Sequence, residues 1–282
     1  MPVRIIVDSA CDMNSADHPQ LTVLPLSVVF GEDIYLDGVT ITNARFYELL
    51  TESRDLPSTG QVNPYAFTKA YEEALAAGED IVVITLSAKL SGTHQSAVTA
   101  AGLVDGEVRI IDSRNVTVGE RALVEYALSM VDQGASADEV VEGVKAMRDR
   151  VVVLGLLETL EYLRRGGRIS AAAGAVGEML SIKPVVTVRD GEVQLLGKAR
   201  GMKNGRNLLT KEIERVGGAD FSLPVVLGYA GTSDKLLREY IEAHRALWAD
   251  YPGDELPVHS IGATIGTHVG PGAIALAFFM RP

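Results

Sequence analysis

Short, nearly continuous apolar runs recur along the first half of the chain, separated by stretches of helical period, and this alternation constrains the fold more than any other feature. VRIIV (3–7), IVVITL (81–86) and VRIID (108–112) have the length and β-branched content of buried strands. A further run at 21–30 reads as one strand punctuated by Pro25. Between the runs, Phe46, Leu49 and Leu50 mark a helix over 42–53, and Phe67, Tyr71 and Leu75 mark another that opens at Asn63-Pro64, an N-cap followed by proline. The segment THQSAVTAAG is a helix, LPSTGQVN is a polar loop, and two more helices are expected near 119–133 and 137–148. Strands separated by helices imply a parallel sheet with helices on its faces.

The second half has a different rhythm. VVVLGLL (151–157) is a strand, and ETLEYLRRGG is a short helix closed by Gly166-Gly167. Asp190-Gly191 sits between two apolar runs, a hairpin signal. A helix over 203–216, a strand in PVVLGYA, a helix over 234–248, a short strand near 257–260 and a final strand in AIALAFF complete the pattern. The expected class is α/β in two domains: a parallel-sheet domain over 1–150 and an α+β domain with a mixed or antiparallel sheet over 151–282, with a ligand between them.

Composition narrows the function. The chain has 282 residues, 28 of them glycine, and only 6% are aromatic, so aliphatic and small side chains dominate. That mixture suits tight α/β packing and smooth apolar cavities. The single cysteine, Cys11, excludes an intramolecular disulfide framework and suits a reducing cytoplasm. No apolar run approaches a membrane span and the N-terminus lacks the pattern of a signal peptide, so a cytoplasmic protein that is not integral to a membrane is expected. The net charge of −11 disfavours nucleic acid as a partner. Residues 164–211 nevertheless carry ten Lys or Arg against three acids, a segment of +7 in a remainder of −18. This basic island is either a solvated face or a surface for an anionic ligand or acidic partner.

In an open parallel sheet, ligands bind beyond the carboxyl ends of the strands. The residues there are Asp8-Ser9-Ala10-Cys11-Asp12, then 87–93, then Asp112-Ser113-Arg114. Ser91-Gly92-Thr93 opens a helix, where unpaired N–H groups, the helix dipole and two hydroxyls favour an anion and Gly92 allows close approach. Spacing alone favours the plainer reading, in which Ser91 only caps its helix. Thr59-Gly60-Gln61 is a second donor-rich loop leading into a helix start. Asp8 and Asp12 suggest turn caps rather than a metal site, and neither a P-loop nor a dinucleotide fingerprint is present. A serine hydrolase of acyl esters would pair Ser91 with His94 or His268 and an Asp, but the nucleophile-elbow motif is absent. His268 lies in a glycine-rich segment, 266–272, where the backbone is expected to bend sharply.

Taken in order, DSACD, Thr59-Gly60-Gln61, ITLSAKLSGTHQSA, DSRN, LEYLRRGGRIS, IKPVVTV and IGTHVGPGAIAL resemble the DegV family over essentially the whole chain. That family includes the fatty-acid-binding subunits of the bacterial fatty acid kinase system. The resemblance implies a lipid-binding, non-catalytic protein without a cofactor or metal, holding one long-chain fatty acid in an apolar tunnel. It places the carboxylate on Thr59, Ser91 and His268, with Gly60, Gln61, Gly92 and Thr93 in the supporting loops. It further implies a separate kinase subunit that converts the acid to an acyl-phosphate, with Arg168 and Arg200 facing the kinase or the phosphate. The other alternative, beside the hydrolase, is a carrier of another amphiphilic acid or phosphate with no kinase partner. This chain departs from the family at Gly60, where a hydroxyl is commonly found, and at His94, which stands where an aromatic or small residue is usual.

Overall fold

The apolar runs of the first half align as parallel strands because the chain between them is long enough to return over a sheet face. A computed structural model describes residues 1–53, 55–169 and 181–281. Ser170 and Glu178, which the sequence reading placed in a motif and in the basic island, lie outside the described residues. In chain order the first half contains β1 (Val3–Asp8), β2 (Leu21–Leu24), β3 (Ser27–Phe30), β4 (Asp33–Leu36), α1 (Asn43–Glu52), β5 (Ser58–Gly60), α2 (Pro64–Ala76), β6 (Asp80–Thr85), α3 (Thr93–Ala101), β7 (Val108–Asp112), α4 (Val118–Asp132) and α5 (Ala137–Met147). The second contains β8 (Val151–Leu156), α6 (Glu161–Arg165), β9 (Ile182–Arg189), β10 (Glu192–Arg200), α7 (Met202–Arg215), β11 (Val226–Tyr229), α8 (Lys235–Ala243), β12 (Val258–Ser260), α9 (Ala263–Val269) and β13 (Ile274–Phe279).

The class is α/β, with a parallel sheet and a separate mixed sheet. The first sheet has the order β2-β1-β6-β7, and every pairing in it is parallel. Its centre is fully buried at Ile5, Ile6 and Val7, which explains the unbroken apolar runs. The second sheet has the order β10-β9-β8-β13-β11-β12 and is antiparallel except between β11 and β12. Helix α4 packs against β1 on one side and against β8, β11 and β13 on the other. It is accordingly buried almost all round, including Glu120 and Arg121.

Several expectations are corrected. The single strand expected over 21–30 breaks at Pro25: β2 joins the parallel sheet, while β3 pairs with β4 and β5 in a small antiparallel sheet. Proline cannot donate to a ladder, and the next amide, that of Leu26, is taken by the Ser9 hydroxyl at 3.0 Å. The loop LPSTGQVN contains β5, so the register Val28–Thr59 sets where Thr59 stands. The helix expected over 234–248 ends at Ala243 and gives way to a short 3-10 turn over Arg245–Trp248. The segment 266–272 is helical as far as Val269, and the bend is confined to Gly270 and Gly272, both at positive φ.

Helix α9 is assembled by its surroundings. Its sequence, ATIGTHV, is rich in β-branched residues and contains a glycine, which makes it a weak helix by propensity. Its first amides are bound by carboxylates from far earlier in the chain. Asp12 accepts from Gly262 N–H at 2.8 Å, and the two oxygens of Asp37 accept from Ala263 and Thr264 N–H at 3.0 Å each. Gly266 lets the rings of α1 approach, since a Cβ there would stand 2.5 Å from Phe46 and 2.8 Å from the Tyr47 hydroxyl.

Replacing Asp37 by alanine should therefore destabilise the protein by about 1–3 kcal/mol, because buried N–H groups lose their acceptor. Urea denaturation would measure the loss, with exposed Glu48→Ala as a control expected to cost little; equal midpoints for the two variants would contradict this account.

Candidate functional site

The two halves enclose a cavity of about 380 Å³. Strand β5 and the loop after β6 supply Thr59, Gly60, Gln61, Ser91 and Gly92 to its wall, α9 supplies His268, and the turn after α6 supplies Arg168. The rest of the lining is overwhelmingly aliphatic, from β8, β9, β13 and α9 among others. A space of this size, apolar with a few polar groups, has the character of a small-molecule site.

The polar groups are joined in a closed ring of contacts. Thr59 Oγ1 and His268 Nε2 lie 2.9 Å apart. The Nδ1 face of His268 packs on Gly166, where a Cβ would stand 2.2 Å away. The Gly166 carbonyl accepts from Arg168 Nη1 at 2.6 Å, and Arg168 Nε donates to the Leu90 carbonyl at 3.1 Å. Next in the chain, Ser91 Oγ lies 3.0 Å from Thr93 Oγ1 and accepts from Thr93 N–H at 3.2 Å. Thr93 Oγ1 accepts from Val62 N–H at 3.3 Å, which returns the ring to the loop that carries Thr59. Gln61 packs flat on Gly92, where a Cβ would fall 2.0 Å from its Oε1, and Gln61 Nε2 donates to Ser96 Oγ at 2.9 Å.

Sequence-predicted residues divide accordingly. Thr59, Gly60, Gln61, Ser91, Gly92, Arg168 and His268 all border the cavity. Thr93 is fully buried behind Ser91 and holds it, rather than forming part of the lining. Arg200 is exposed at the end of β10 and is not a lining residue, whereas Arg168 is. His94 turns away to Thr85 Oγ1, 3.0 Å distant, so this departure from the family pattern belongs to the strand end and not to the cavity. Asp8 accepts from Ala10 and Leu86 N–H, and Asp12 from Gly262 N–H and the Thr117 hydroxyl, which makes both of them caps and braces. Sequence reasoning overlooked Asp37 and Thr117, and read Gly166 only as the close of a helix, where the structure also packs His268 on it.

The ring's chemistry is that of hydrogen-bond donation. Ser91 Oγ bonds to Thr93, and among the described residues no imidazole is hydrogen-bonded to it. Burial, reinforced by the nearby Arg168 guanidinium, pushes His268 down to about 4. The imidazole is therefore neutral near pH 7, with one proton to place. On Nε2 that proton is donated to Thr59 Oγ1, which frees the Thr59 hydroxyl proton for a ligand. Hydroxyls and the charged guanidinium around one end of an apolar cavity suit the head group of an amphiphilic anion.

A DegV-family sequence profile, described as "Uncharacterised protein, DegV family", matches residues 2–281. A DegV domain-containing protein of Caldanaerobacter subterraneus is 34% identical over 279 residues, covering 98% of each chain. A solved structure of a DegV family protein from Thermus thermophilus, titled for its fatty acid binding, superposes with a TM-score of 0.87 at 30% identity and full coverage of both chains. The fatty acid kinase B3 protein of Streptococcus pneumoniae, loaded with linoleic acid, has a TM-score of 0.88 at 23% identity over the whole of both chains, a likeness of fold.

The geometry predicts that His268 titrates near 4. A folded value below the free 6.5 means that neutral His268 contributes stability above pH 6.5, which is lost as pH falls through about 4. NMR of the ring protons would follow it; a midpoint at 6 or above would contradict this assignment. Gly166→Ala should displace the imidazole from Thr59 and broaden or shift the same resonances.

Proposed function

The chain belongs to the DegV family, and we propose that it carries one long-chain fatty acid in its cavity and presents the carboxylate to a separate kinase subunit. The observation that supports this most is the polar ring in the wall of a mostly aliphatic cavity of about 380 Å³. Fatty-acid binding in the Thermus thermophilus relative supports it as well. In this reading the hydroxyls of Thr59 and Ser91 donate to the carboxylate, and neutral His268 fixes the proton of Thr59. Gly60, Gln61, Gly92 and Thr93 shape the loops. Each methylene taken from water contributes about 0.8 kcal/mol, so the tail supplies most of the affinity and the ring supplies orientation.

The division of labour follows the two halves. Residues 1–150 provide the carboxylate-binding loops, and residues 151–282 complete the tunnel and add His268. Arg168, bordering the head group, is the residue to offset the charge of an acyl-phosphate, and exposed Arg200 faces the kinase. The protein itself is then a binding and presenting subunit with no catalytic group and no cofactor. Among the described residues no helix is long and apolar enough to cross a membrane; a cytoplasmic carrier is the reading we adopt.

Mass spectrometry of organic extracts from purified protein should find long-chain fatty acid. Ser91→Ala and Thr59→Ala should each weaken binding by about 10- to 100-fold, the worth of a hydrogen bond to a charged group. If no acyl chain co-purifies and added fatty acid fails to bind, the reading is wrong; ester turnover abolished by Ser91→Ala would point to a hydrolase instead. Arg200→Ala should slow kinase-dependent phosphorylation and leave binding nearly intact, whereas equal loss of both would put Arg200 in the binding site.

A further inference from the structure

Part of the cavity wall is the hairpin β9–β10, and this hairpin lies at the edge of its sheet. β9 and β10 pair from Ile182–Arg200 to Arg189–Glu192, with a bulge between Leu195 and Gly197. β9 is paired to β8 only at Val185, Val186 and Thr187. Beyond the hydrogen bond from Thr187 Oγ1 to the Val153 carbonyl, at 2.8 Å, no strand pairing among the described residues ties the tip to β8. Yet Val188 and Val193, on either side of that tip, line the cavity.

The tip is fastened to the other half of the molecule. Ser87, fully buried in the loop after β6, donates its hydroxyl to the Gly191 carbonyl at 2.7 Å. The turn is built for that contact. Asp190 and Gly191 both have positive φ, 51° and 79°, as a tight hairpin turn requires. A Cβ on Gly191 would stand 2.5 Å from Ser87 Oγ. Ser87 also organises the turn that presents Ser91, since its carbonyl accepts from Leu90 and Ser91 N–H and its Oγ accepts from Lys89 N–H. One residue thus fixes the head-group turn and fastens the cavity's edge wall.

We propose that the tip of the β9–β10 hairpin is the door of the cavity and that the Ser87–Gly191 hydrogen bond is its latch. Ligand enters and leaves when the tip lifts away from Ser87, while Thr59, Ser91 and His268 keep their places. The proposal rests on the reading of the cavity as a fatty-acid site. A latch present in both the filled and the empty closed states changes the barrier to exchange and not the affinity, because entry and exit are accelerated together.

Stopped-flow fluorescence with cis-parinaric acid, a fluorescent fatty acid, would compare the full chain with Ser87→Ala. Both the association and the dissociation rates should rise about 2- to 12-fold, the worth of one net hydrogen bond. Amide exchange at residues 190–192 of the ligand-free protein should accelerate by the same factor. Gly191→Ala, which disturbs the latch from the hairpin side and lies outside the turn that presents Ser91, should raise both rates with the equilibrium constant changed by less than about twofold. Unchanged rates in Ser87→Ala, or weaker affinity without faster exchange at 190–192, would overturn the latch. If the wild-type chain does not bind the probe, the fatty-acid reading fails, and amide exchange still decides whether the latch exists.

Discussion

The first turn of α9 is held by two carboxylates, Asp12 and Asp37, that reach it from the opposite half of the molecule. Much else depends on this contact. The helix is weak by composition and short, so it owes its position to acceptors for its amides, to the Tyr47 hydroxyl on the Ile261 carbonyl at 3.0 Å, and to the aromatic rings at Gly266. Those contacts join the two halves and, one turn later, deliver His268 to Thr59. The interaction that closes the molecule is also the one that completes the polar end of its cavity.

Burial governs the electrostatics on both sides of this junction. Desolvation pushes Asp8 and Asp12 up to about 7 in spite of the donors they accept from, and pushes Glu120 well above the usual carboxylate range. The same effect drives His268 down. At the cavity's polar end the outcome is a set of neutral donors with one guanidinium behind them. Such a set holds an anion by directed hydrogen bonds and avoids the larger cost of burying a full complement of charges.

Much of this was legible from local pattern. The parallel strands announced themselves as unbroken apolar runs, the hairpin as Asp190-Gly191, and the helix start after β6 as Ser-Gly-Thr. The family resemblance named Thr59 and His268 as partners of Ser91, and the fold brings all three to one cavity. Besides the early end of the helix expected over 234–248, three features were read differently: the single strand over 21–30, the loop that became β5, and the bend over 266–269. Each was decided by partners distant in sequence. Pro25 divides a run between two sheets, β5 exists because β3 offers it an edge, and Gly266 is helical because α1 packs against it.

By itself, the sequence determined the class of fold, the aliphatic character of the interior and the residue types available to meet an anion, because these follow from periodicity and composition over short windows. Only the tertiary structure decided that Thr93 braces rather than lines, that His94 turns away, that Arg168 borders the cavity while Arg200 stays outside, and that Ser87 meets Gly191. The physical reason is the same in each case. A side chain's role here is set by the hydrogen-bond partner it finds across the cavity, and that partner is brought near by the packing of two separately built sheets.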